Sequence, residues 1–254
     1  MTKTLVPVNA TSTFASLKNV ALALKVVDHL VNRSPNLPGM GVLYGESGLG
    51  KSMAAAAAAN RYRAVYVECK SYFTKKSFLL AILEEMGIRP GKTVYEMVKQ
   101  IGQELALSGR PLFIDEMDHI VDRNLVELVR DIYEASNAPI LMIGEERFPM
   151  KLKRWERFHN RVLDWQPAEP SDLDDARKLA RLYSHDVAIA DELLAKVVNA
   201  TRGVTRRICV NIDNVRQEFG ALGGGTGPGK AVNLKDWGAR AFYTGEAPMI
   251  RRAA

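Results

Sequence analysis

Eight consecutive residues constrain this chain more than any others. Gly45-Glu46-Ser47-Gly48-Leu49-Gly50-Lys51-Ser52 fits the pattern G-x-x-x-x-G-K-[ST]. An apolar run at 41–45 precedes it and reads as a strand; an alanine-rich stretch at 50–60 follows and reads as a helix. In that setting the glycines let the backbone curl so that successive N–H groups point inward at phosphate oxygens. The positive end of the helix dipole lies behind them. Lys51 supplies a point charge to the β- and γ-phosphates, and the Ser52 hydroxyl is a ligand for Mg²⁺.

The remainder of the chain repeats the alternation. Short apolar runs at 64–68, 111–115, 139–143 and 161–165 read as further strands, and 76–86, 93–107, 122–135 and 148–158 as helices between them. A helix precedes the first strand, with Leu17, Val20, Ala21, Leu24, Val27 and Val31 at helical spacing. Continuous apolar strands separated by helices imply a parallel sheet buried on both faces. After Pro167 and Pro170 the strand pattern stops, and 172–184, 190–200 and 203–219 read as helices only. Six glycines within 220–229 form a linker before a last helical stretch at 233–243. The expected organisation is an irregular segment at 1–16, an α/β nucleotide-binding domain at 17–168, a small all-helical lid at 169–219 and a linker with tail at 220–254. Trp237, Phe242 and Tyr243 in that tail suit either an interaction peptide or a fold back onto the lid.

A second motif names the ligand. Leu112-Phe113-Ile114-Asp115-Glu116 is an apolar strand ending in two acids. Adjacent carboxylates at a buried strand end are costly unless they hold a cation or activate a water. Asp115 is placed to hold Mg²⁺ through its water shell, and Glu116 to orient and polarise an attacking water. The two motifs together point to ATP and Mg²⁺ as cofactors and to ATP hydrolysis as the reaction. Composition removes several other classes. Cys69 and Cys209 stand 140 positions apart with no ligand-spaced partner, which excludes a disulfide scaffold and gives no support to a zinc site. No apolar run approaches the ~20 residues of a membrane span, and the N-terminal stretch lacks a signal-peptide core. The expectation is a reduced cytoplasmic protein with no membrane partner. The formal charge of +6 permits an anionic partner without demanding one.

A phosphate loop, an Asp-Glu strand end and an all-helical region after a fifth strand resemble the AAA+ ATPases, over roughly residues 17 to 219. That resemblance implies a five-stranded P-loop core and carries over further roles. In Gly203-Val204-Thr205-Arg206, Arg206 takes the position of a lid arginine that reaches the γ-phosphate, with Arg207 as its neighbour. An arginine finger, supplied across a subunit interface, is expected before the fifth strand. Arg157 and Arg161 are the candidates in that order, with Arg154 third. At the end of the fourth strand AAA+ proteins place a neutral polar residue, whereas this chain reads Gly144-Glu145-Glu146. A carboxylate there repels the γ-phosphate, and slow hydrolysis is one consistent outcome.

The basic residues suggest a partner. The segment from Arg147 to Arg161 carries six basic residues against Glu156, and that from Arg61 to Lys76 carries five against Glu68, with Tyr72 and Phe73 interleaved. Such stretches suit a phosphate backbone, or are a solvated surface. The segment Tyr66 to Leu79, the first strand and the compact N-terminus are similar to the transposition ATPases typified by the phage Mu B protein. The resemblance implies an ATP-dependent helical filament or ring around double-stranded DNA that selects a transposition target and recruits or stimulates a transposase. Its DNA-contacting positions fall here on Lys75, Lys76, Lys92 and Thr93. The alternatives are a helicase-loader or clamp-type ATPase acting on a replication protein and, ranked last, a secretion-associated ATPase.

Overall fold

The computed structural model describes residues 15–220 and 231–246. Most of the segment expected at 1–16, nearly all of the glycine-rich linker and the chain end with Arg251 and Arg252 lie outside the described residues. The elements run in the order α1 (Lys18–Val31), β1 (Met40–Tyr44), α2 (Lys51–Tyr62), β2 (Val65–Glu68), α3 (Lys75–Glu85), α4 (Val94–Ser108), β3 (Leu112–Asp115), α5 (Asp118–Asp122), α6 (Val126–Ser136) and β4 (Ile140–Gly144). They continue with α7 (Phe148–Leu152), α8 (Glu156–His159), β5 (Val162–Pro167), α9 (Leu173–Tyr183), α10 (Asp191–Thr201), α11 (Thr205–Phe219) and α12 (Leu234–Trp237).

Period-two alternation in the strands assigns the two sheet faces. Leu43, Phe113, Leu141 and Ile143 point to one face and pack with Val26, Val27 and Leu30 of α1 and with Ala54, Ala55, Ala58 and Ala59 of α2. The alanines have no bulk, so α2 lies close to the sheet, which keeps the loop before it at the strand ends. Met40, Val42, Val65, Val67, Leu112, Ile114, Ile140 and Met142 point to the other face, into a larger cluster with α3, α4 and α6. The five strands are all parallel, in the order β2-β3-β4-β1-β5. Their C-terminal ends therefore share one edge, where open α/β sheets bind ligands. The fold is the expected α/β core of five parallel strands flanked by helices, followed by a helical region.

The helical region has its own small cores. Ala176, Leu179, Leu194, Val197, Ile208 and Ile212 form one; Val187, Leu193, Val215, Val232 and Trp237 form another. Val232 and Trp237 come from beyond the glycine-rich segment, so residues 231–246 fold back onto the helical region. Val232 bridges to Ile189, Trp237 stacks on Phe242 at 5.8 Å, and Arg240 lies over the Phe219 ring at 5.4 Å. The Asn211 side chain seals the contact: its Nδ2 donates to Tyr243 O, and its Oδ1 accepts from Tyr243 N, both at 2.9 Å.

Several local expectations need correction. The helix expected at 233–243 stops at Trp237, because Gly238 takes φ 66° and ψ −136°, a conformation open essentially to glycine. The helix expected at 148–158 is two short ones, interrupted at Trp155, whose φ −109° and ψ 68° are not helical. The helix expected at 122–135 starts only at Val126, and the short α5 before it was not anticipated.

Candidate functional site

At the C-terminal edge of the sheet a cavity of about 330 Å³ opens between the strand ends and the helical region. Its floor carries Ser47, Gly48, Gly50, Lys51, Ser52, Asp115, Glu116 and Glu145, and its roof Thr205 and Arg206. Leu17, Val20, Leu179, Leu182 and Tyr183 supply an apolar flank, the kind of wall that takes a flat base. Motifs up to about 160 positions apart thus meet in one cleft.

The loop has the form its composition requires. Gly48 and Gly50 adopt φ of 87° and 82°, and a side chain at Gly48 would strike Val204 at 2.9 Å. Gly50 caps α2, so the helix begins at Lys51. Lys51 Nζ donates to the carbonyls of Gly45 at 2.7 Å and Glu46 at 2.9 Å, which holds it across the loop mouth. Burial depresses the Lys51 pKa, opposed by Glu116, Asp115, Glu145 and Asp118. Ser52 lies in the first turn of α2, exposed to the cleft. Gly45 is buried behind the loop, and Leu49 is buried with its carbonyl accepting from Asn19 Nδ2 at 2.8 Å.

The acidic pair is asymmetric. Asp115 is 2% exposed. Its Oδ1 accepts from Glu116 N at 2.8 Å and its Oδ2 from the Tyr66 hydroxyl at 2.5 Å. Burial and the neighbouring Asp115 push the Tyr66 phenol well above its ordinary pKa, so it stays a donor. Glu116 is less buried and sits at φ 52°, a left-handed conformation that a glutamate adopts at a cost of order 1 kcal/mol. The turn aims the backbone away from β3 at the strand end. Burial, then Asp115, and more weakly Glu145, raise the Glu116 pKa; His119 and Lys51 oppose them.

The donor set suits the expected cofactors. Among the described residues no group of three or more His, Cys, Asp or Glu could hold an ion alone. A hydroxyl and a carboxylate facing a phosphate cradle match Mg²⁺, which keeps several waters and takes its remaining ligands from phosphates. Ser52 and Asp115 are the side chains that would hold it.

At the end of β4 the side chain expected in the usual neutral polar position is missing. Gly144 is buried, and a Cβ there would meet Phe148 at 2.4 Å and Asp118 Oδ2 at 2.8 Å. Asp118, 5% exposed, fills that space instead: its Oδ2 accepts from Glu145 N at 2.7 Å, and its Oδ1 lies 3.1 Å from Lys151 Nζ. Glu145 itself reaches the cavity wall. Sequence reasoning missed Asp118 and Tyr66, whose partners are distant along the chain, and also Cys209, a lining thiol whose pKa burial pushes up to about 11.

The roof closes through backbone as well as side chain. Arg206 N donates to Gly48 O at 3.0 Å, and the Arg206 side chain is exposed at the cavity. Arg207 instead packs beside Gly245 of the returning tail.

The finger candidates do not line this cavity. Arg154 donates to Val121 O at 2.9 Å and lies over its neighbour Trp155, and Arg161 pairs with Glu134 at 3.0 Å. Arg157 is exposed, with no hydrogen bond or ion pair among the described residues. Lys75 and Lys76 are exposed in the first turn of α3, after the Thr74–Ser77 capping box. Lys92 is exposed just before α4, and Thr93 caps that helix, accepting from Glu96 N at 3.1 Å. No hydrogen bond among the described residues joins the two helix starts.

Residues 36–152, a little under half of the chain, match the family described as AAA domain. The fold is that of the P-loop AAA+ ATPases. Several solved structures superpose on most of the chain. The ORC2 protein of Aeropyrum pernix, in ADPNP-ADP complexes, gives a TM-score of 0.60 at 14% identity, covering 78% of this chain and 61% of its own. Cdc6p of Pyrobaculum aerophilum gives 0.59 at 14% identity, covering 83% and 65%. The ORC1 protein of Aeropyrum pernix, in complex with DNA, gives 0.58 at 17% identity, covering 83% and 63%. The chain thus spans under two thirds of the length of these three proteins. No curated protein matches it in sequence. Among the described residues no helix is long and apolar enough to cross a membrane.

Proposed function

We propose that this chain is a slow, ATP-dependent DNA-binding ATPase that assembles on duplex DNA, selects a transposition target and recruits or stimulates a transposase. The observation that carries the ATPase part is the single cleft in which the phosphate loop, Asp115–Glu116 and Arg206 converge. Bound Mg²⁺ would neutralise charge on the β- and γ-phosphate oxygens. The chain's own groups do the rest: loop N–H groups and Lys51 orient the phosphates, Glu116 polarises the attacking water, and Arg206 reads the γ-phosphate from the roof.

Assembly rests on Arg157. Among the described residues its guanidinium is unpaired and lies outside its own cavity, so it is placed to complete the site of a neighbouring copy. DNA binding rests on the lysines at the start of α3. Lys75 and Lys76 occupy the first turn of α3, where the helix dipole disfavours cations, and they add to a positive end instead of offsetting it. A phosphate backbone suits that arrangement. The transposition assignment rests on the resemblance of the 66–79 segment and the first strand to the transposition ATPases.

The test is fluorescence anisotropy of a labelled duplex under ATP, ADP and no nucleotide across a salt series. The proposal expects binding with ATP alone that weakens steeply with salt, and none with Lys51→Ala. If hydrolysis releases the DNA, Glu116→Gln should hold it longer than wild type; faster release would show that hydrolysis does not set DNA dwell time. The likeness to the ORC and Cdc6 folds favours a second reading, an ATPase acting on a replication protein at DNA. Stimulation by a helicase and not by a transposase would select it.

A further inference from the structure

We infer that Tyr66 is a positioning residue for the metal-facing carboxylate, a role that rests on the ATPase reading above. Tyr66 sits in the middle of β2, the edge strand beside β3. Val65 and Val67 turn to the larger core, so Tyr66 faces the opposite side, where its ring packs against the cluster containing Phe113 and the α2 alanines. From there its hydroxyl reaches along the sheet to Asp115 Oδ2 at 2.5 Å.

Packing alone does not account for that hydroxyl. A phenylalanine would fill the same space without donating to the carboxylate. The hydroxyl is needed because Asp115 is 2% exposed and, among the described residues, its only main-chain donor, Glu116 N, serves Oδ1. Each carboxylate oxygen has about two acceptor sites. One on each is taken by Glu116 N and Tyr66, which fixes the carboxylate plane and leaves the remaining sites for the cleft. Tyr66 thus does for Asp115 what outer-shell donors do for metal ligands elsewhere: it sets orientation without touching the ion.

The experiment uses the full chain with Mn²⁺ as probe, read by electron paramagnetic resonance in the presence of a non-hydrolysable ATP analogue. Nucleotide affinity in EDTA is measured alongside with a fluorescent nucleotide. For Tyr66→Phe the expected result is a loss of about 10-fold in Mn²⁺ affinity, within the range for outer-shell changes, and unchanged metal-free nucleotide affinity. In an Asp115→Ala background Tyr66→Phe should have no further effect on Mn²⁺. Equal Mn²⁺ affinity in wild type and Tyr66→Phe overturns the inference, and so does an equal loss with and without metal, which would make Tyr66 a packing residue. A wild-type chain that takes up no nucleotide overturns the ATPase reading itself. A wild type that binds the Mn²⁺–nucleotide pair beside an unchanged Tyr66→Phe overturns the Tyr66 role alone.

Discussion

The floor and the roof of the cleft are built on opposite terms. The floor rests on a sheet covered on both faces, with Phe113, Phe78, Leu43 and Ile114 fully buried beneath it. The roof rests on two clusters of five or six buried residues, and among the described residues these share no member with the clusters of the sheet. What joins the two is largely polar. Asn19 of α1 donates to Leu49 O and Glu169 O and accepts from Glu169 N, while Lys18 N donates to Asp175 and Lys18 Nζ pairs with Asp172 at 3.0 Å. Apolar contact gives a rigid body, whereas a polar seam can part and re-form at small cost. On the proposed reading, the chemistry therefore belongs on the floor and the sensing of nucleotide at the seam.

The sharpest way to break that division is Glu116→Gln. The floor reading expects hydrolysis to fall by roughly 10²–10⁴, the usual worth of a positioned base, with ATP binding retained. Single-turnover phosphate release beside equilibrium nucleotide binding measures both. A parallel loss of binding would show that Glu116 shapes the loop and not the reaction.

Stability should divide along the same line. Phe113→Ala removes a fully buried ring between sheet and helix and should cost about 3–5 kcal/mol by denaturant unfolding. Trp237→Ala, in the roof, should instead release amide protection across α10, α11 and the tail while β1, β3 and β4 stay protected in hydrogen exchange. If protection fell everywhere together, floor and roof would be one cooperative unit and the comparison would fail.

The floor was legible in the sequence and the seam was not, for a physical reason. The phosphate loop is contiguous, and its glycines are demanded by backbone angles that other residues resist. Asp115 and Glu116 are read off one strand end. The alternation of apolar runs gave the strands to within a residue or two, since a parallel sheet buried on both faces leaves little freedom. Tyr66, Asn19 and Asp118 act through partners 49, 150 and 27 positions away, and no local pattern encodes such pairs. The α5 helix was missed because it is five residues long and rich in charge. Gly238 did mark the end of α12, and weighing its freedom against the apolar spacing of 233–243 would have shortened that helix.

A smaller effect tests the seam directly. Asn19→Ala leaves the carbonyls of Leu49 and Glu169 short of a donor and should cost about 1–3 kcal/mol. Because the loss falls at the seam, saturating ATP should recover part of it, since a ligand touching both surfaces stabilises their closed arrangement. Thermal unfolding with and without nucleotide reads the difference. An equal shift in both conditions would place Asn19 inside the floor's own folding unit.

The finest test concerns charge within the floor. In its proposed role Glu116 would accept a proton from water only when ionised, and its pKa is raised by burial, then by Asp115, and less by Glu145. The acid limb of the hydrolysis rate should therefore lie above the ordinary carboxylate range. The stability sign is opposite to that of a salt-bridged acid: the folded chain holds this proton more tightly than the unfolded one. The resulting stabilisation is complete below the ordinary value and disappears as pH rises through the raised one. Glu145→Gln removes one of the raising charges, so the acid limb should move to lower pH and hydrolysis at neutral pH should rise modestly, since less negative charge faces the γ-phosphate. A limb that stays in place while the rate rises would mean that Glu145 acts on the phosphate alone. A limb that moves with no change in rate would mean that it acts on Glu116 alone and that the roof sets the rate.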